Sequence, residues 1–417
     1  MAEKIIHFKD DNYYVEDVQL KKLCQSFGTP SYVYSKESIV GSFNKLDKAF
    51  NEYDRLICFA VKANPNIAIL NILANLGAGF DIVSGGELKR VIAAKGDTKK
   101  VVFSGIGKSI DEIRFALKHE ILAFNVESEA ELYRIQEIAK SMNKVANISI
   151  RVNPNVDAKT HPYISTGLKD YKFGVDEKKA IELYKVAKDM DSVMIKGVDC
   201  HIGSQITEIG PFIDSISKLL KMTDTLASMG IEIEHLDIGG GIGINYDDEE
   251  IFNFDEYSTA ISKVFAKRKF KIIFEPGRSL VGKAGILLTK IEYIKKGQSK
   301  NFAVIDAAMN DLMRPSLYNA YHQIVNTSDC NEKSDTYDIV GPVCETGDFL
   351  GKNRNLSIGP NNILAILDVG AYGMSMSSNY NSRMRPTELL IDGKKVYEIK
   401  KREVFDDLIR YESLPTA

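Results

Sequence analysis

Little in this chain of 417 residues invites a covalent or metal-built scaffold. Its five cysteines, at positions 24, 58, 200, 330 and 344, are scattered and odd in number, with no CxxC pair and no histidine at ligand spacing. That pattern excludes a disulfide framework and a zinc site, and reads as free thiols in a reducing compartment. Long apolar runs are also missing. No window approaches the ~20 residues of a membrane-spanning helix, and Glu3, Lys4, Lys9, Asp10 and Asp11 interrupt the N-terminus before a signal-peptide core can form. An excess of positive charge is absent as well: the net charge is −3, so the clustered basic surface that nucleic acid requires is not expected. There are no internal repeats, low-complexity linkers or Pro/Ser-rich tracts. What these absences leave is a soluble, cytoplasmic protein, long enough for two or three domains with a large core.

What the chain does contain is an alternation. Short β-branched or aromatic runs at 56–61, 79–83, 101–104, 121–126, 147–152, 195–202, 235–238 and 271–274 read as eight strands. Between them, apolar residues recur at helical spacing, as in Leu132-Ile135-Ile138-Ala139 and Ile213-Ile216-Leu219-Leu220. Ser109 followed by Glu112, and Ser128 followed by Glu131, are helix-start signatures. With the helical pattern at 37–52, eight helices match the eight strands, which predicts a closed (β/α)8 barrel; a doubly wound open sheet is the alternative. Lys62, Asp81, Ser104, Glu127, Arg151, His201, Asp237 and Glu275 all fall at or just past the C-terminus of a predicted strand. Barrel active sites are built on that face.

After residue 280 the rhythm changes to strand-like runs without long helices, at 285–294, 302–306, 336–340, 363–369 and 395–399. The expected organisation is an N-terminal segment 1–27, a barrel over 28–280 and a β-rich domain over 281–417.

Lys62 ends the apolar run Leu56–Val61. A lysine desolvated there would have a lowered pKa and could form a Schiff base with an aldehyde or ketone; the plain alternative is a lysine that snorkels to water. Gly239-Gly240-Gly241 after the seventh strand and Glu275-Pro276-Gly277-Arg278 after the eighth have the makings of a phosphate site, because glycine lets backbone N–H groups approach and arginine adds charge. A flexible turn is the other reading of the glycines. Together, lysine and phosphate site suggest pyridoxal phosphate (PLP). Glu275 is placed to meet a pyridine nitrogen, or else to pair structurally with Arg278. His201 could stack on a flat cofactor, with Ser204 donating to its phosphate, or be an ordinary core histidine. In the second domain, Cys344 beside Glu345 could act as a general acid, against a simple buried cysteine. Arg314 and Tyr318 suit a substrate carboxylate if a helical turn joins them; a solvated arginine is the alternative.

The segments Phe59–Pro65, Gly79–Glu87, His201–Gln205, Asp237–Gly241, Glu275–Arg278, Cys344–Asp348 and Gly370–Gly373 resemble the alanine-racemase-like, PLP-dependent decarboxylases (group IV), and within them the branch that acts on meso-2,6-diaminopimelate. The resemblance runs from about residue 5 to residue 410. It implies a barrel followed by a β domain to which the N-terminal strand returns, and a head-to-tail homodimer with two shared sites. By this resemblance Lys62 carries PLP, His201 stacks on its ring and Glu275 meets the pyridine nitrogen. Ser204, Gly240, Pro276, Gly277, Arg278 and Tyr372 serve the phosphate or its surroundings. Arg278, Arg314, Tyr318 and Tyr372 meet the substrate, while Cys344 and Glu345 come from the partner subunit as proton donor and ammonium binder. Tyr171 departs from the pattern, where a small residue is expected.

The implied activity is loss of CO2 from the D-configured centre of meso-2,6-diaminopimelate to give L-lysine, the last step of lysine biosynthesis by that route. Three other functions compete. A PLP racemase usually avoids a carboxylate at the pyridine nitrogen, so Glu275 argues against it. A Schiff-base aldolase would share barrel, lysine and phosphate loops without PLP. A non-catalytic binding protein is opposed by the intact Lys62, His201 and Cys344.

Overall fold

The computed structural model describes residues 5–156, 172–247, 249–266, 268–328 and 330–415; Tyr171 lies outside them. Three short antiparallel strands, β1 (Ile6–Lys9), β2 (Asn12–Val15) and β3 (Val18–Gln19), precede α1 (Leu20–Phe27) and β4 (Ser31–Ser35). From α2 (Lys36–Ala49) onward, strand and helix alternate: β5 (Arg55–Ala60), α3 (Ile67–Asn75), β6 (Gly79–Ile82), α4 (Gly85–Ala93), β7 (Val101–Phe103), α5 (Ile110–Lys118), β8 (Ala123–Val126) and α6 (Glu129–Ser141). The alternation continues with β9 (Ala146–Arg151), α7 (Glu177–Lys188), β10 (Val193–Asp199), α8 (Gly210–Ser228), β11 (His235–Asp237), α9 (Phe254–Phe265), β12 (Lys271–Phe274) and the single turn α10 (Arg278–Val281).

Strands β5–β12 close into a parallel barrel, with β12 paired to β5 through Phe274 and Ile57. Each of the eight predicted runs supplies one strand. Burial on both faces explains why they read as continuous apolar runs rather than alternating ones. The expected 195–202 strand ends earlier, at Asp199, because Cys200 N donates to Asp237 O (3.0 Å) and the chain turns away towards the glycine run.

Serine caps fix the turns that lead from strand to helix. Ser109 and Glu112 form the reciprocal box, with Glu112 N donating to Ser109 Oγ (3.3 Å) and Ser109 N to Glu112 Oε2 (3.0 Å). Ser128 caps Glu131 N (3.2 Å), but the Glu131 carboxylate accepts from Glu127 N (2.8 Å), one residue further back. Ser84 and Glu87 repeat this second arrangement. Each cap satisfies N–H groups that a helix start leaves orphaned.

The rest of the chain forms β13 (Gly285–Lys296), β14 (Asn301–Ile305), α11 (Arg314–Tyr318), β15 (Ile324–Asn326), β16 (Asp335–Val340), β17 (Phe349–Leu356), β18 (Ile363–Ile366), β19 (Thr387–Asp392), β20 (Lys395–Lys400) and α12 (Phe405–Ile409). Six of these strands and β4 run in the order β17-β16-β14-β13-β4-β19-β20, with β18 on β13 and β15 on β18 completing one β-rich sheet system. Ile6, Val15, Val18, Leu20 and Leu23 of the N-terminal segment pack in one core with Val33, Ile286, Leu288 and Leu389.

Two compact units result. One holds the chain up to Ile39, Asn245–Glu249 and the chain from Val281 on; the other holds Val40–Ile244 and Glu250–Leu280. The division after residue 27 expected from the sequence therefore shifts, because β4 pairs with β13 on one side and β19 on the other. All five of its residues are buried. The hydroxyls of Tyr32 and Tyr34 bond within the same unit, to Asp311 O (2.6 Å) and Glu388 Oε1 (2.8 Å).

Candidate active site

In the barrel unit, Lys62 sits in the 3-10 turn Val61–Ala63 directly after β5. Its Nζ lies 2.9 Å from Asp81 Oδ2, and the lysine side chain is 36% exposed while that of Asp81 is 0% exposed. The β5–β6 pairing sets Asp81 opposite Ala60, two residues before the lysine. The amine is thus aimed by a buried carboxylate, with enough opening for a ligand to reach it.

Behind this pair lie more carboxylates. Oxygens of Asp199, Asp237 and Glu275, all buried, lie within 4.8 Å of one another. Burial first, and then the negative charges of Asp237, Asp81 and Asp199, push the Glu275 carboxyl well above its ordinary range, with Lys62 opposing. Burial pushes Asp237 up to about 7, although the N–H of Gly239 opposes this. Asp199 is raised too, by burial and by Asp237, against the pull of Arg151. Spacing alone would let the three ligate a cation. Held against Arg151 and Lys62, they form instead a floor whose carboxyl groups keep their protons to higher pH than ordinary carboxylates do. Asn125 Nδ2 donates to Glu275 Oε1 (3.3 Å) and to Ser104 Oγ (3.1 Å). Arg151 Nη1 pairs with Glu127 (3.1 Å).

The glycine run is packed so tightly that side chains cannot enter. A Cβ on Gly240 would stand 2.0 Å from Glu275 O, and Gly239 and Gly241 have φ of +69° and +97°. Gly240 N donates to His201 Nδ1 (3.2 Å), so the imidazole proton sits on Nε2. Burial, with Arg151 and Lys62, holds the His201 pKa well below its ordinary value and the ring is neutral. Arg278 is 6% exposed, and its Nη2 donates to Ser204 Oγ (3.1 Å). Pro276 O accepts from Ala60 N (3.0 Å), which ties the end of β12 to β5, and Gly277 packs on Ala63. A buried cation and a hydroxyl are members of the donor set that a phosphate ester takes.

The β-rich unit carries the remaining candidates. Arg314 and Tyr318 share the turn α11, as a common carboxylate partner requires, and Arg314 Nη1 donates to Tyr246 OH (2.8 Å). Cys344 is exposed rather than buried in its turn. Asp348 holds that turn by accepting from Val343 N and Met309 N (2.7 Å each), and Asn381 Oδ1 accepts from Cys344 N (2.9 Å). Ser316 Oγ of α11 donates to Gly347 O (2.6 Å), joining the arginine's turn to the cysteine's. Glu345, also exposed, hydrogen-bonds Tyr380. Tyr372 is half-buried with φ +57°, a left-handed conformation unusual for a tyrosine.

Several residues escape the sequence reading. Asp199 stands two positions before His201, a spacing that puts both on one face of an extended chain, and this was the available signal. Asn125 and Tyr246 act through contacts remote in sequence and leave no local mark. Lys108 is a buried ammonium satisfied by Glu131 Oε1 (2.6 Å), Gly105 O (2.7 Å) and Asn125 O (2.9 Å), so it anchors the backbone of the residue that holds Glu275.

Comparison with known proteins agrees with this geometry. Residues 36–282 match the pyridoxal-binding domain of the pyridoxal-dependent decarboxylases. The diaminopimelate decarboxylase of Neisseria meningitidis serogroup A is 51% identical over 393 residues, which cover 94% of this chain and 97% of that protein. The crystal structure of the M. jannaschii diaminopimelate decarboxylase with L-lysine superposes with a TM-score of 0.94 at 42% identity, covering 98% of each chain. That of the Helicobacter pylori enzyme with L-lysine gives 0.91 at 44% identity, over 94% of this chain and 98% of that one.

Proposed function

The chain belongs to the pyridoxal-dependent decarboxylases, and from that premise we propose that it binds PLP and converts meso-2,6-diaminopimelate to L-lysine and CO2, the last step of lysine biosynthesis by the diaminopimelate route. The observation that carries this reading is the buried Glu275 in the same unit as Lys62, whose amine lies 2.9 Å from the fully buried Asp81. When bound, PLP supplies an electron sink conjugated to the bond that breaks. Glu275 would pair with the protonated pyridine nitrogen and keep that sink strong, the setting that favours decarboxylation over reversible racemisation. Lys62 holds the cofactor's aldehyde carbon, and the neutral imidazole of His201 offers a flat face to its ring. Ser204, Gly240, Gly277, Arg278 and Tyr372 hold the phosphate, with Pro276 shaping the turn.

The substrate keeps an amino-acid group at its unreacted end. Its carboxylate goes to the cationic Arg278 and Arg314, beside Tyr318 and Tyr372, and its ammonium to Glu345. Cys344, a thiol on a braced and exposed turn, delivers the proton that replaces CO2, in the site of the partner subunit of a homodimer. No helix among the described residues is long and apolar enough to cross a membrane, and we place the enzyme in the cytoplasm.

Incubation with PLP and meso-2,6-diaminopimelate should release CO2 and L-lysine in equal amounts. Borohydride should trap the pyridoxyl group on Lys62. A protein that stays colourless with PLP would support the aldolase reading, and a label on a different lysine would remove Lys62 from its role.

A further inference from the structure

The β-rich unit contains a buried aromatic residue that grips the arginine assigned to the substrate's distal carboxylate. Tyr246 is 8% exposed and follows Gly241 by five residues along the chain. Its hydroxyl accepts from Arg314 Nη1 at 2.8 Å, and the guanidinium carbon lies over its ring, 4.8 Å from the centroid. One tyrosine thus holds both an edge and a face of the same cation. The tyrosine is itself fixed. His322 meets its ring edge-on, with centroids 5.1 Å apart at 78°, and the fully buried His322 is held by Leu367 O at 2.9 Å through Nδ1. Glu249 Oε2 accepts from Tyr246 N (2.9 Å) and Asp247 N (2.8 Å), which locks the backbone that presents the ring.

A guanidinium recognises a carboxylate best as a planar fork of set orientation, and a fork oriented beforehand gives up less rotamer freedom on binding. We propose that Tyr246 is a positioning residue for substrate selection: it orients Arg314 so that ligands bearing the distal carboxylate are preferred over diamines that lack it. This rests on the assignment of Arg314 to that carboxylate. Product L-lysine retains the group, and pentane-1,5-diamine does not.

The test titrates holoenzyme with each of these two ligands, following cofactor absorbance, for wild type, Tyr246→Phe and Arg314→Ala. Tyr246→Phe keeps the ring and removes the hydroxyl that accepts from Arg314. It should weaken L-lysine about tenfold, the low end for one lost hydrogen bond to a charged donor, and leave the diamine unchanged. In turnover of meso-2,6-diaminopimelate it should raise KM with little change in kcat, because the distal group is bound alike in ground and transition states. If Arg314→Ala abolishes the preference for L-lysine while Tyr246→Phe leaves it intact, or weakens both ligands equally, the proposal is overturned and the role of Arg314 stands. If Arg314→Ala leaves the preference intact, the role of Arg314 falls, and the proposal falls with it.

Discussion

Asp237 and Glu275 are buried where a carboxylate is costly, and their raised proton affinity links the site to the stability of the fold. In the unfolded chain such groups titrate near pH ~4; in the folded protein Asp237, Glu87 and Asp311 are pushed up to about 7, and burial raises Glu275 and Asp199 as well. Across that window the folded state holds protons that the unfolded chain has released, so stability falls as pH rises. Burial does the opposite to His201 and His235, the latter pushed down to about 4. The histidines add stability as pH rises, but only up to the unfolded histidine value of roughly 6.5. Above it the carboxyl groups act alone. The apo-protein should therefore lose roughly 1–3 kcal/mol between pH 6.5 and 8, at about 1.4 kcal/mol per shifted pK unit, and Asp237→Asn should flatten the slope. A melting temperature that is level or rising over this range would contradict the protonated floor. Substrate choice is also a residue-scale property. Ornithine lacks the distal carboxylate and would forgo its charge-assisted contact with Arg314, at a cost of about 1–3 kcal/mol, so wild type should strongly prefer diaminopimelate. Arg314→Ala should lose diaminopimelate turnover far more than PLP absorbance; equal rates on ornithine would refute the substrate assignment. Lys62, Glu275 and Arg278 are legible in the sequence because each closes or follows an apolar run. Tyr246 is not, since its importance lies in a contact with a residue 68 positions away.

At the scale of elements, legibility followed burial. Barrel strands are covered on both faces and stand out as apolar runs, whereas β17 (FLGKNRNL) is partly exposed and carries charged and polar residues. β4 (SYVYS) is wholly buried, yet it looks polar because its tyrosine hydroxyls are satisfied by partners remote in sequence. Helix caps are local, and the Ser109–Glu112 signature could be read directly. Glu112 does more than the signature implies: its Oε1 also accepts from Gly85 N (2.8 Å), joining the start of α5 to that of α4. Ser109→Ala should cost about 1 kcal/mol in urea unfolding, and Glu112→Ala should cost more, because it also orphans Gly85 N. Equal costs would mean that the α4 link contributes nothing. Gly240→Ala is of another kind. Its Cβ would collide with Glu275 O at 2.0 Å, backbone that cannot swing aside, so the variant should fail to retain PLP.

For the whole molecule the question is what Cys344 and Glu345 face. In the single chain both are exposed, on a turn braced by Asp348 and Asn381. A braced turn that presents a thiol and a carboxylate to solvent leaves both available to a second chain, if each chain supplies them to the other's site. Lys62→Ala and Cys344→Ala chains, each nearly inactive alone, should then regain activity when mixed under conditions of subunit exchange. In a mixed dimer one site carries both lesions and the other carries neither. Random exchange makes about half of the dimers mixed, each with one intact site, so recovery should reach about a quarter of wild-type activity under two-fold symmetry. Native mass spectrometry would establish that exchange has occurred. Recovery absent despite exchange would place lysine and cysteine in the same chain's site.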